Sequence, residues 1–293
     1  MSLFAVILIL VISLSEFDLF VGISDWISNL NQLCLSFTPS SAYAEIYSAL
    51  ICGNPTISAG LSQIFKNLGI YHAIIVSGSH LVFLSLLIEK LFYSHRLENF
   101  RIAALPVLLF YSLATGAEPP VIRAFIGIIL NIIQKKKKLF WSQSEVVFLS
   151  LLLCLLLSSS WKNSYSLLLS YVASLSLTLV HEQQFLKRNA YIYLIIFPFL
   201  LPLCPPHPMS IITNAILSPL IGIVLFPLSF VSFLVPYCYY FTDFLWKIFL
   251  MICELFGSEL ETLPAIRFSI FYLWAIAVLL NFYGVTREKK VNL

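Results

Sequence analysis

The run Gly69 to Leu84, GIYHAIIVSGSHLVFL, sets His72, Ser77, Gly78, Ser79 and His80 inside a segment otherwise apolar enough to cross a bilayer. A hydroxyl or imidazole taken into hydrocarbon without a partner costs about 2–7 kcal/mol. Polar groups in spanning segments therefore face a bundle interior, a pore or a substrate path. Read as one helix over 68–92, the run puts Gly78 and His80 near its midpoint, with Ser77 and His80 sharing a face. Two readings stay open. Either these groups line a translocation path in which Gly78 admits a close approach, or they form a small-residue packing face in which Ser and His satisfy each other.

Covalent and metal chemistry find no motif. Ser77 follows Ile75-Val76, without the glycine an intramembrane GxSG protease needs, and neighbours on one helix place a base poorly for attack. The histidines His72, His80, His95, His181 and His207 are dispersed, with no H-E-x-x-H. No enzyme, metal or cofactor is expected. The six cysteines form no CxxC, and Cys34 and Cys52 share the outer face, where a disulfide is open to them.

Charge is sparse and placed. Arg123, in PPVIRAFIGIIL, lies about three residues inside its apolar segment. It either snorkels to water at the outer mouth or presents a fixed guanidinium to an anionic substrate such as phosphate. A helix beginning at Pro119-Pro120 would add free amides that attract anions. Lys135, Lys136, Lys137 and Lys138 hold their loop on the cytoplasmic side, and a polyanionic substrate would meet phosphate contacts there. Asn214, between Thr213 and Pro219, is a further polar group at an expected helix break.

The elements that must position these residues are apolar blocks. The 293 residues are 60% hydrophobic and 11% charged, with a mean hydropathy of +0.94, against about 25% charged for a soluble domain. The fold class is all-α, a polytopic integral membrane helical bundle of about ten spans including short or broken helices. The spans are read near 2–21, 68–92, 102–116, 119–134, 142–158, 164–181, 190–204, 209–236, 240–257 and 265–284. Gly116 to Pro120 breaks one hairpin sharply, and Pro219 and Pro227 kink or split 209–236.

Residues 1–22 then form an N-terminal transmembrane helix, 23–67 a short extracytoplasmic segment, 68–285 the main transmembrane domain and 286–293 a cytoplasmic tail. Within 23–67, Tyr43 to Cys52 is expected as a helix lying along the outer surface. Basic clusters at 95–101, 135–138, 187–188 and 287–290 all fall on one side, which makes both termini cytoplasmic.

Four blocks, in order, resemble the competence domain of the ComEC family, the inner-membrane channel for DNA in natural transformation. They are ALICGN (49–54) with GIYHAIIVSGSHL, TGAEPPVIRAFIG (115–127), WKNSYSLLLSYVASLSL (161–177) and ITNAILSPLIGIVLFPL (212–228). Carried over position by position, the resemblance singles out His72, Ser77, Gly78, His80, Thr115, Gly116, Arg123, Ala124, Leu169, Ser170, Asn214 and Pro219. The chain departs from the pattern at Ser79, where a larger apolar residue is usual, and at Leu168 to Tyr171. No OB-like extracytoplasmic domain and no metallo-β-lactamase-like domain is expected within these 293 residues.

The resemblance implies a channel passing single-stranded DNA into the cytoplasm, without covalent chemistry, in the inner membrane. Arg123 would greet phosphates, with His72, Ser77, Gly78, His80, Thr115, Gly116 and Asn214 along the path and Lys135 to Lys138 at the exit. The lipid bilayer, a separate DNA receptor, a nuclease and a cytoplasmic ATPase would be partners, the last because no phosphate-binding Gly-x-x-x-x-Gly-Lys-Ser/Thr motif occurs. A homo-oligomer is open. The competing expectations are a small-anion transporter using the same Arg123 and a non-conducting scaffold of an uptake machine.

Overall fold

The computed structural model describes residues 18, 20–92, 100–180, 184–203, 207–257, 266 and 269–291. Most of the expected span 2–21, the basic 95–99 turn, His181 and most of the acidic 257–264 stretch lie outside them. Among the described residues the chain is helical, apart from an isolated bridge between Asp18 and Ser158.

The helices are α1 (Ser24–Ser36), α2 (Ala44–Cys52), α3 (Ala59–Asn67), α4 (Tyr71–Ile74), α5 (Gly78–Phe92), α6 (Phe100–Ala114) and α7 (Pro119–Lys137). They continue as α8 (Gln143–Leu157), α9 (Tyr165–Leu179), α10 (Phe185–Leu200), α11 (Ser210–Leu220), α12 (Phe226–Leu234), α13 (Tyr239–Gly257) and α14 (Ile270–Val291). Local chemistry sets several starts. Pro119 opens α7 at a position whose N–H would have no helical partner. Ser142 and Glu145 close a reciprocal capping box on α8, and the Ser164 hydroxyl accepts from the Leu167 amide at the head of α9.

Among the described residues, two helical stretches are long and apolar enough to cross a membrane, Ser210–Leu234 and Ile270–Arg287. Ile102–Ala114, Gln143–Leu157 and Tyr165–Leu179 are apolar but shorter. A 15-residue helix such as Tyr165–Leu179 rises about 22 Å, less than the ~30 Å hydrocarbon layer.

Three expectations are corrected. Residues 68–92 are two helices, broken at Ile75 to Ser77, because Ile75 turns extended (ψ 144°) and the Val76 amide bonds to the distant Ala49 carbonyl at 3.0 Å. Residues 210–234 do not split into two half-helices: a π turn at Ile221–Leu225, between Pro219 and Pro227, joins α11 to α12 in one stretch and takes up the backbone mismatch that an internal proline creates, the alternative of a kink standing as read. Helix α2 does not lie along a surface, since Ile46 to Cys52 are all buried.

Two apolar cores meet at α7. Val121, Ala124 and Phe125 pack with residues of α2, α5, the π turn and α13. Ile122, Ile126 and Leu130, on the other side of the same helix, pack with α8, α9 and α14. Helix α7 therefore holds its side chains between the halves, and Arg123 sits at their boundary.

Candidate functional site

Gly78 begins α5 because its backbone lies against the start of α7. A Cβ there would stand 2.8 Å from the Ala124 Cβ, 3.0 Å from the Pro120 carbonyl oxygen and 3.9 Å from Arg123 Nη2. Only a residue without a side chain fits this approach. The blocks GIYHAIIVSGSHL and TGAEPPVIRAFIG thus meet through their glycine and their proline-initiated helix, and two helix N-termini point into one neighbourhood.

Arg123 is 7% exposed, so it does not snorkel to water. Its Nε donates to Ser170 Oγ at 3.0 Å and its Nη2 to Ser174 Oγ at 2.6 Å. Ser170 and Ser174 are one helical turn apart on α9, so both hydroxyls face the guanidinium fork. Among the described residues Arg123 is bonded to hydroxyls and to no carboxylate. A buried guanidinium without a counter-charge is costly, and the partial positive charge of nearby helix N-termini adds to it. The neighbourhood is electrostatically suited to an anion.

His80 is buried and stacked on Phe226, ring centroids 4.4 Å apart. Its Nδ1 accepts the Ser77 amide at 3.0 Å, which places the ring proton of neutral His80 on Nε2. Ser77 and His80 therefore satisfy each other in the first turn of α5, away from the middle of any helix. The Ser77 and Ser79 hydroxyls lie 2.7 Å apart, and Ser79 is exposed, as is His72 on α4.

Thr115 and Gly116 serve another junction. The Thr115 carbonyl oxygen stands 2.7 Å from where a Cβ on Gly53 would lie, and Gly53 holds φ +75°. Asn31 Nδ2 donates to the Cys52 carbonyl at 2.7 Å and to the Ala114 carbonyl at 2.9 Å. Cys34 and Cys52 are joined by a disulfide, which settles the pairing that the sequence left open. Thr115 is buried, its hydroxyl donating to the Ser112 carbonyl, whereas Gly116 is exposed at φ +81°. Asn214 is half-buried and accepts from the Ser218 hydroxyl.

The lysines do not form one patch. All four are exposed, but Lys135 and Lys138 line a hollow of about 310 Å³ with Gln134, Leu139, Phe140 and Gln143. Lys136 and Lys137 stand instead over an aliphatic groove between α6 and α7.

Several residues that build the site carry little sequence signal. Asn31 appeared in no motif, and Ser174, although inside the block 161–177, was not singled out; Ser170 and Ser174 at helical spacing of four were a usable sign. Asp243 on α13, accepting from Tyr47 and Ser41 at 2.9 Å each, was likewise silent. Among the described residues no group of three or more His, Cys, Asp or Glu is placed to hold a metal ion.

These features define a helical protein with polar groups gathered where apolar helices break and meet. The chain belongs to the Competence protein family, whose profile matches residues 50–286, in agreement with the resemblance read from its motifs. It is also similar to a Mycoplasma genitalium protein described as "Uncharacterized protein MG316", 28% identical over 181 residues, which are 59% of this chain and 48% of the relative. The chain thus spans about half the length of the curated relative it matches. No solved structure matches it significantly. Family membership supports a role in competence and DNA uptake, and with the two long apolar helices it points to a membrane protein.

Proposed function

We propose that this chain is a multi-pass inner-membrane protein of about ten spans, both termini cytoplasmic, through which single-stranded DNA enters the cell during natural transformation. It carries out no covalent chemistry and works with a separate receptor, nuclease and motor. The observation that carries this reading is Arg123, a buried cation held by two serine hydroxyls beside two helix N-termini, in a chain of the Competence family. A strand backbone bears one negative charge per nucleotide, so its path needs fixed positive charge and polar groups to replace lost hydration. Arg123, Ser170 and Ser174 supply both at one level.

A non-conducting scaffold is the second reading, and the Gly78–Ala124 and Gly53–Thr115 contacts favour it, because they make the motif glycines packing positions. Labelled double-stranded DNA followed in cells carrying wild type, a deletion, or a stably inserted Arg123→Ala variant separates the two. Conduction requires that deletion and Arg123→Ala both hold DNA outside the cytoplasm. Unchanged entry with Arg123→Ala, alongside loss in the deletion, assigns the scaffold. Unchanged entry in the deletion removes DNA uptake from this chain and leaves a small-anion transporter using Arg123.

A further inference from the structure

The groove under Lys136 and Lys137 has the two-part chemistry of a phospholipid. It is lined by Ile102 and Leu105 of α6, by Ile129, Ile132 and Ile133 of α7, and by the two lysines, and encloses about 250 Å³. Its walls are aliphatic and its cations stand together at the C-terminal end of α7, so apolar and charged surface are segregated along one axis. From Ile129 to Lys137 the helix rises about 12 Å, a length over which an acyl chain can lie before its headgroup reaches the ammonium groups. Ile133 is 40% exposed, Ile102 is 39% exposed and both lysines are exposed, which leaves the groove open from its side.

We infer that this groove binds one anionic phospholipid, its acyl chain between α6 and α7 and its phosphate on Lys136 and Lys137. Charge complementarity selects the occupant. A zwitterionic lipid offers the lysines a phosphate masked by its own cation, and a nucleic acid strand offers nothing to the aliphatic floor. The negative end of the α7 dipole opposes a phosphate there, but it amounts to about half a charge, and four consecutive lysines outweigh it. Juxtamembrane lysines attract anionic headgroups by about one tenfold step or less each.

The division of the lysines follows from the same geometry. Lys135 and Lys138 turn to the neighbouring hollow beside Gln134, Gln143 and the fully exposed Phe140. They are left free for other anions, including the strand under the reading above, and the lipid site does not depend on that reading.

The test uses the full chain purified in detergent. Its thermal midpoint is followed while phosphatidylglycerol, phosphatidylcholine of the same acyl chains, free glycerol phosphate or a single-stranded oligonucleotide is added. Phosphatidylglycerol should raise the midpoint, phosphatidylcholine and glycerol phosphate should not, and any rise with the oligonucleotide should survive Lys136→Gln with Lys137→Gln. Lys136→Gln with Lys137→Gln should weaken the phosphatidylglycerol effect about thirtyfold in half-saturating concentration. Lys135→Gln with Lys138→Gln should shift it no more than a few-fold, through the general field alone. Ile132→Trp, which fills the groove, should abolish the effect with the lysines intact. Equal stabilisation by phosphatidylcholine overturns the proposal, as does a full response to glycerol phosphate alone. Displacement of the lipid by the oligonucleotide at equal charge would assign the lysines to nucleic acid and overturn it too.

Discussion

Gly78 and Ala124 face each other so closely that a methyl group on the first would stand 2.8 Å from the Cβ of the second. The contact fixes where the broken run after Ser77 meets the start of α7. Gly78→Ala should destabilise the protein by about 1–3 kcal/mol through overpacking. Because the nearest obstacle is a side chain, Ala124→Gly should recover part of the loss, the Pro120 carbonyl at 3.0 Å limiting the rest. Thermal unfolding of the two single variants and the double variant gives the coupling directly; additive effects would exclude the contact.

Gly53 makes a sterner demand. Its φ of +75° is strained for any residue with a side chain, and the obstacle is the Thr115 backbone oxygen at 2.7 Å, which has no rotamer to give. Gly53→Ala should cost about 2–4 kcal/mol and no side-chain truncation at position 115 should rescue it. Thr115→Ala combined with Gly53→Ala, measured by denaturation, checks this.

Asn31 ties the same junction from a third direction. Asn31→Ala withdraws the donor from the Cys52 and Ala114 carbonyls, and each buried acceptor left without a partner costs about 1–3 kcal/mol. A lower thermal midpoint with the Cys34–Cys52 disulfide still formed, read by thiol titration, is the expected result.

Arg123→Lys keeps the charge but cannot span both serines as a fork does. Under the conduction reading this variant should retain more DNA entry than Arg123→Gln, while both lose stability by similar amounts. Equal entry for Lys and Gln would detach entry from charge.

Glu118, just before α7, is half-buried, and burial raises its carboxyl above the ordinary value of 4.5. The folded protein then holds that proton more tightly than the unfolded chain. Its contribution is complete below the unfolded value and is lost as pH rises through the raised folded one. Glu118→Gln should therefore be more stable than wild type at neutral pH, the gap closing as pH falls through the raised folded value and being fully closed below 4.5. A gap that widens on acidification would refute the burial.

The helices most legible in the sequence were α6 to α9, each an apolar block ended by Gly, Pro, Ser or a lysine run. The break at Ile75 to Ser77 was not legible, because the run is apolar on both sides and the bond that opens it comes from Ala49, more than twenty residues away. Arg123 was singled out by its charge inside an apolar segment and by the motif around it, with two readings open, and its burial against α9 removes the snorkelling one. His80 and Ser77 were paired correctly in sequence, and only the backbone amide as the true donor escaped notice. For Ser170 and Ser174, 47 and 51 residues distant, the spacing of four marks two hydroxyls on one face of α9, but tertiary packing alone sets that Arg123 is what they face.

Helix α7 has one apolar face in each core, and that has a consequence for how its gene can vary. Each residue of an α-helix turns the next by about 100°. Removing or adding one codon between Val121 and Leu130 would swing Ile126 and Leu130 away from the core they fill, and no neighbouring face is vacant to receive them. Substitutions in that stretch are absorbed locally, whereas a one-codon insertion or deletion is felt in both halves at once. Beyond Lys135, where the helix end is exposed, the same length change meets little resistance.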